Sequence, residues 1–119
     1  MGTNKINVED QTVYIAGPMT GIEDFNFSQF DAASYKWKEK GFDVINPATL
    51  SREQAKRLGI TIAELCVREC AMLDLVEIIS RASHMFMLKG WEYSKGAKTE
   101  HALAQWIGVS ISYEVEESI

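Results

Sequence analysis

Four short apolar runs, each followed by turn or capping residues, constrain this chain more than any other feature. They are "TVYIAG" (12–17), "FDVIN" (42–46), "HMFML" (84–88) and "VSISY" (109–113). Each has strand length, and β-branched or aromatic residues supply most of the bulk in all but "HMFML". Between them lie segments with helical periodicity. In "NFSQFDAASYKWKEKG" (26–41), Phe27, Phe30, Ser34 and Trp37 form one stripe, with Asn26 placed as the cap and Gly41 as the stop. Thr61 and Glu64 make a T-x-x-E capping box. That box predicts a long helix through about Ser80, with Ile62, Leu65, Met72, Val76 and Ile79 along its apolar row and Glu69 bending out of it. A last helix is expected from about Lys95 to Trp106, with Gly108 after it. Residues 48–60 read as a loop with a broken helical turn, 1–10 as a loose leader and 114–119 as a polar tail.

Alternating strands and helices predict one α/β domain over residues 1–119, with a parallel sheet sandwiched between helices. In such sheets ligands bind at the carboxyl ends of the strands, beside the point where strand order reverses. Residues 17–27, 46–50 and 89–96 are therefore the segments expected to line any site.

The totals narrow the function classes. The chain carries twelve Lys and Arg against seventeen acids, a net charge of −5. That balance argues against a nucleic-acid polymer as partner, while leaving room for a small anionic ligand at a locally positive site. No apolar run reaches the length of a membrane span and no signal-peptide pattern opens the chain, so a cytoplasmic address without a membrane partner is expected. Cys66 and Cys70 lack a matching Cys or His pair, which leaves them as small half-buried thiols and no metal site expected. His84 and His101 have no partner pattern for metal or triad chemistry and read as structural.

Two loops carry the chemistry. Gly17, Pro18, Met19, Thr20 and Gly21 follow the first strand directly. The glycines allow backbone to approach a ligand and Thr20 offers a hydroxyl, although Gly-Pro after a strand is also a generic turn. In "KGWEYSKGAKTE" (89–100), Ser94 precedes Gly96 and Ala97 at the mouth of a helix, where free amides and the helix dipole favour an anion. Glu100 is the one acid in an otherwise apolar row of that helix. It reads either as a working carboxylate with opposed pressures on its pKa, or as a solvated acid paired with Lys95 or Lys98. Asp74 is the second candidate acid, with a solvated pair to Arg81 as the alternative.

Three blocks, "YIAGPMTG" with "FNFSQFDAAS", then "GFDVINPA", then "LKGWEYSKGAKTEHALA", resemble the nucleoside 2-deoxyribosyltransferase-like superfamily. The likeness is greatest to its small phage and bacterial branch. The resemblance implies a flavodoxin-like (Rossmann-like) three-layer sandwich with a short parallel sheet. It also implies cleavage of the N-glycosidic bond of a 2′-deoxynucleoside or its 5′-monophosphate, with transfer of the sugar to another base or to water. On that likeness Glu100 matches the nucleophile, Asp74 the acid that protonates or positions the leaving base, and Tyr14 the tyrosine that orients the nucleophile. The 17–21 loop, Ser94, Gly96 and Ala97 would hold sugar or 5′-phosphate. Trp91 would stack on the base or anchor its loop. No cofactor is implied, and relatives complete their sites from a neighbouring subunit, so a homodimer or higher homo-oligomer is expected. The apolar, aromatic-bearing first and third helices are the candidate interface. Relatives often carry an acid where this chain has Ser83 and His84. That departure favours a second reading, a catalytically idle protein that binds or sequesters a nucleotide or nucleotide-derived signal.

Overall fold

The computed structural model describes residues 11–115, so the expected leader and the end of the tail lie outside the described residues. Strands β1 (Thr12–Ala16), β2 (Asp43–Ile45), β3 (His84–Met87) and β4 (Ser110–Tyr113) form one sheet in the order β2-β1-β3-β4. All three neighbouring pairs are parallel. The helices are α1 (Phe27–Glu39), α2 (Pro47–Leu58), α3 (Val67–Arg81) and α4 (Lys95–Ile107). This is the flavodoxin-like three-layer α/β sandwich.

Strand alternation divides the core. Val13 and Ile15 face Phe27, Phe30 and Ala33 of α1, whereas Tyr14 and Ala16 face Ile78 of α3 and Ala97 and Ala104 of α4. Every residue of β1 is buried, as a central parallel strand requires. Moving from β1 to β2 and then back to β3 and β4 reverses the winding, and right-handed crossovers accordingly place α1 on one face and α3 and α4 on the other. The reversal point lies between β1 and β3. Gly17 directly follows β1 there, and a Cβ at this position would stand 2.8 Å from the Leu88 Cβ. The two strand-end loops approach so closely that only glycine fits.

Local chemistry overturns several sequence expectations. Residues 47–58 are helical, not a loop. Pro47 occupies the first helical turn, the Asn46 side chain accepts from Ala48 N–H, and Gly59 closes the helix in the left-handed region at φ 69°. These start and stop residues signal a helix, but the segment is too polar to show an apolar period. The Thr61–Glu64 capping box forms, yet it caps only a 3-10 turn, Ile62–Glu64. Leu65 is extended (ψ 139°), and α3 starts afresh at Val67. The restart changes which face is buried. Ile78 is fully buried while Met72, Val76 and Ile79, expected in the apolar row, are exposed. Glu69 is exposed, and Cys66 is exposed rather than half-buried.

Asn26 does not cap α1. Asp24, Phe25 and Asn26 all have positive φ (51°, 53° and 61°), and the Asn26 side chain donates to Pro18 O at 3.0 Å instead. Left-handed backbone costs a non-glycine residue roughly 1–2 kcal/mol, so three in succession hold considerable strain. At the far end of α4, Gly108 (φ 82°) closes the helix as the sequence indicates. Among the described residues no helix is long and apolar enough to cross a membrane.

Candidate active site

A cleft of about 730 Å³ opens at the carboxyl edge of the sheet, where β1 and β3 diverge. The three expected segments all reach it, through residues 17–20 with Phe25 and Phe27, through Pro47, and through residues 93–97. Tyr14 stands at its floor. The strand's alternation turns this side chain toward α3 and α4, where it is fully buried. Its hydroxyl donates to Glu100 Oε2 at 2.5 Å. Glu100 lies on α4 one turn inside the helix start, and Asp74 projects from α3 into the same cleft. Thus the structure brings Tyr14, Asp74 and Glu100 together from three elements.

The surroundings hold both acids toward their neutral forms. Burial raises Glu100 to about 8; the Tyr14 hydrogen bond opposes that rise and the Asp74 charge adds to it. Burial likewise raises Asp74 to about 7, again opposed by Tyr14. Tyr14 is pushed well above its ordinary value by burial and then by the two carboxylates. Carboxylates displaced upward within one cleft are characteristic of acid–base sites. Asp74 is therefore a member of this cluster, while Arg81 bonds to Glu77 at 2.8 Å. Cys70 also lines the cleft, and burial with the neighbouring Asp74 charge keeps its thiol protonated.

The helix mouth adjoins these acids. Ser94 Oγ accepts from Ala97 N–H at 3.1 Å, and the first helical bond runs from Lys98 N–H to Ser94 O. The amides of Lys95 and Gly96 thus precede that first bond, at the positive end of the α4 dipole. Gly96 leaves the mouth uncovered, since a Cβ there would meet nothing nearer than Ser94 Oγ at 4.0 Å. Lys95 also lines the cleft here, adding a cation to the backbone donors. This corner of the cleft suits an anion. The opposite wall, built by Phe25, Phe27, Phe30 and Ile62, is apolar and suits a ring.

Two of the sequence candidates lie elsewhere. Gly21 is not among the residues that line the cleft, and Trp91 stacks on His101 with centroids 4.3 Å apart, anchoring its loop. His101 also bonds to the Tyr113 hydroxyl, consistent with a structural histidine. Tyr93, 92% exposed, is the aromatic at the rim. The lining residues that the sequence does not assign to a site include Ile62, Leu65, Val67 and Cys70, because the capping box predicts unbroken helix across Leu65. Among the described residues, no three His, Cys, Asp or Glu side chains group as a metal set.

Ser83 and His84 stand at the amino edge, the far side of the sheet. The Ser83 hydroxyl bonds to the Thr12 backbone, and His84 contacts Ser112 Oγ at 2.8 Å. The length of β3 separates them from the cleft, roughly 13 Å for four residues.

No curated protein and no solved structure shows significant similarity to the chain. A family profile described as a domain of unknown function, DUF4406, matches residues 11–113, from the start of β1 to the end of β4. The match includes every strand and helix that shapes the cleft, and the chain belongs to the DUF4406 family.

Proposed function

We propose that the protein cleaves the N-glycosidic bond of a 2′-deoxynucleoside or its 5′-monophosphate, passing the sugar to another base or to water. The observation that carries this reading is the Tyr14 hydroxyl bonded to Glu100 at the floor of a half-apolar cleft, with Asp74 beside it. The resemblance to nucleoside 2-deoxyribosyltransferases supplies the reaction class, and the geometry supports the roles.

Tyr14 has one hydroxyl proton, and Glu100 receives it. That bond opposes the burial that raises Glu100 to about 8, and the reactive form is the one in which the proton shared by the two acids rests on Asp74, leaving Glu100 the carboxylate a nucleophile needs. Asp74, raised to about 7, retains a proton to give away near neutral pH. In the first half-reaction the Glu100 carboxylate bonds to the anomeric carbon, the C–N bond breaks, and its electron pair leaves with the base. Asp74 supplies the proton that makes the departing base neutral. In the second half-reaction water or another base attacks the same carbon, Glu100 leaves, and the incoming group's proton returns to Asp74. Positive charge developing on the sugar is stabilised by the adjacent carboxylate. The apolar wall would receive the base, and the Lys95–Ala97 helix mouth a 5′-phosphate.

The reading includes a cytoplasmic homo-oligomer. Exposed Met72, Val76 and Ile79 on α3, and Trp106 and Ile107 on α4, are apolar surface suited to a second copy. Light scattering on the purified chain checks this, and a monomer at micromolar concentration would count against it.

Incubation with a panel of deoxynucleosides and their monophosphates, with and without an acceptor base, tests the chemistry. Release of free base that disappears in Glu100→Ala is expected. Failure of the whole panel, or full activity in that variant, would overturn the proposal. The reading as an idle nucleotide-binding protein has its motive in the Ser83-His84 departure, and their place at the opposite edge of the sheet weakens that motive. A nucleotide that stabilises the fold and is recovered intact would favour the idle reading.

A further inference from the structure

A second cleft, of about 580 Å³, opens on the other side of the 17–20 loop. Its character differs from the first. Thr20, Asn26, Gln29, Lys89, Tyr93 and Glu114 present hydroxyls, amides, one cation and one carboxylate. Pro18, Thr20 and Tyr93 line both clefts, so the two adjoin across one shared rim. The first cleft alone has the volume usual for a single small-molecule ligand. The second therefore has capacity for another group of similar size.

The wall between them is the strained part of the molecule. Asp24, Phe25 and Asn26 follow one another in the left-handed region; Phe25 turns into the first cleft and Asn26 into the second. The Asn26 amide holds Pro18 O, which ties this turn to the shared rim. Backbone strain of this kind persists where surrounding structure over-determines it, and it concentrates at ligand clamps. On the other side, the exposed ring of Tyr93 lines both clefts, with Lys89 lining the second and Lys95 the first. Glu114 is held in place by the Lys89 N–H, which donates to its Oε1 at 2.9 Å.

We propose that the two clefts together bind one extended ligand, a dinucleotide whose halves are joined through phosphate. This rests on the proposed function and names its substrate class. The glycosidic half lies over Tyr14 and Glu100, with its 5′-phosphate at the α4 mouth. The linkage crosses the rim between Lys95 and Lys89. The far heterocycle packs on Tyr93 and meets the Asn26 and Gln29 amides, which match the donor and acceptor edges of a base. A mononucleotide fills the first cleft only.

Calorimetric titration of a Glu100→Gln protein, in which turnover is blocked, tests this with two kinds of probe: deoxyadenosine 5′-monophosphate, and 5′,5′-pyrophosphate-linked 2′-deoxydinucleotides (deoxyadenosine joined to deoxyadenosine, and deoxyadenosine joined to thymidine). At least one dinucleotide should bind tenfold or more tighter than the mononucleotide. Adding Gln29→Ala and Lys89→Ala should abolish that preference while leaving mononucleotide affinity unchanged. Both residues are exposed, so the variants should fold, and thermal unfolding confirms it. Equal affinities, no dinucleotide binding, or a preference that survives the double variant would overturn the proposal. So would independent binding of a free base to protein saturated with mononucleotide, which would mark a separate acceptor site. Release of base from mononucleotides by the unaltered protein reports on the proposed reaction alone, so the two can fail separately.

Discussion

The Tyr14 hydroxyl and Glu100 Oε2 lie 2.5 Å apart although 86 residues separate them in the chain. β1 delivers the tyrosine, α4 delivers the acid, and full burial of Tyr14 with partial burial of Glu100 makes the bond count for more than it would in water. Its removal is the most direct probe of the site. In Tyr14→Phe the ring still fills the core, but Glu100 loses the interaction that holds its pKa down. Hydrogen bonds to charged groups contribute about 1.5–3 kcal/mol, so base release should fall roughly ten- to a hundredfold. The pH–rate profile should also move to higher pH, which steady-state rates between pH 5 and 9 would show.

Stability should depend on pH through the same acids. Folding raises Glu100 to about 8 and Asp74 to about 7, so the folded protein binds more protons than the unfolded chain above about pH 4. Stability therefore falls as pH climbs from about 4 through 8. Glu100→Gln removes the larger part of that slope. The variant should match the parent near pH 4 and exceed it at pH 8.5 by on the order of 2–4 kcal/mol. Urea unfolding at both pH values measures the difference, and a pH-independent parent would contradict the burial argument.

Gly17 is required by the close approach of β1 and β3 at the cleft. In Gly17→Ala the new Cβ meets the Leu88 side chain at 2.8–3.1 Å. Overpacking of this kind costs about 1–3 kcal/mol. Gly96→Ala meets only Ser94 Oγ, at 4.0 Å, so it should cost less than about 0.5 kcal/mol in stability. Parallel denaturation curves compare the two.

Asn46 links three elements at the cleft margin. Its side chain caps α2 through Ala48 N–H and donates to Asp31 Oδ1 of α1, and Arg52 donates one bond to each oxygen of the same carboxylate. Those contacts hold the Asp31 carboxyl below its ordinary pKa, Arg52 chiefly and Asn46 in second place. Loss of the cap in Asn46→Ala should destabilise by about 1–2 kcal/mol. Arg52→Ala breaks a pair whose partners are nearly half exposed and should cost less than about 1 kcal/mol. Reversal of that order in thermal unfolding would show that the ion pair outweighs the cap.

The elements made by local chemistry are legible in the residues themselves. The apolar runs mark four strands to within a residue or so, and Gly108 marks the end of α4. α2 carries its signals too, in its Asn46-Pro47 start and Gly59 stop, yet the absence of an apolar stripe conceals it. The anion-friendly mouth of α4 follows from Ser94, Gly96 and Ala97, because a helix start exposes its own amides whatever packs around it.

The chain's residue order thus specifies a set of pieces: a parallel α/β sandwich, with chemistry confined to strand-end loops. Strand propensity and helix capping depend on neighbours in the chain, so their signals are written there. Packing in three dimensions settles the rest. It makes Trp91 anchor its loop while Tyr93 reaches the rim, and the break at Leu65 turns Ile78 inward and Met72, Val76 and Ile79 outward. It also selects which of two equivocal acids share an environment. Spacing leaves Asp74 open to an Arg81 partner and Glu100 open to solvent. Packing α3 and α4 on one face of β1 half-buries both near a single hydroxyl, and the lost hydration raises their pKa values together.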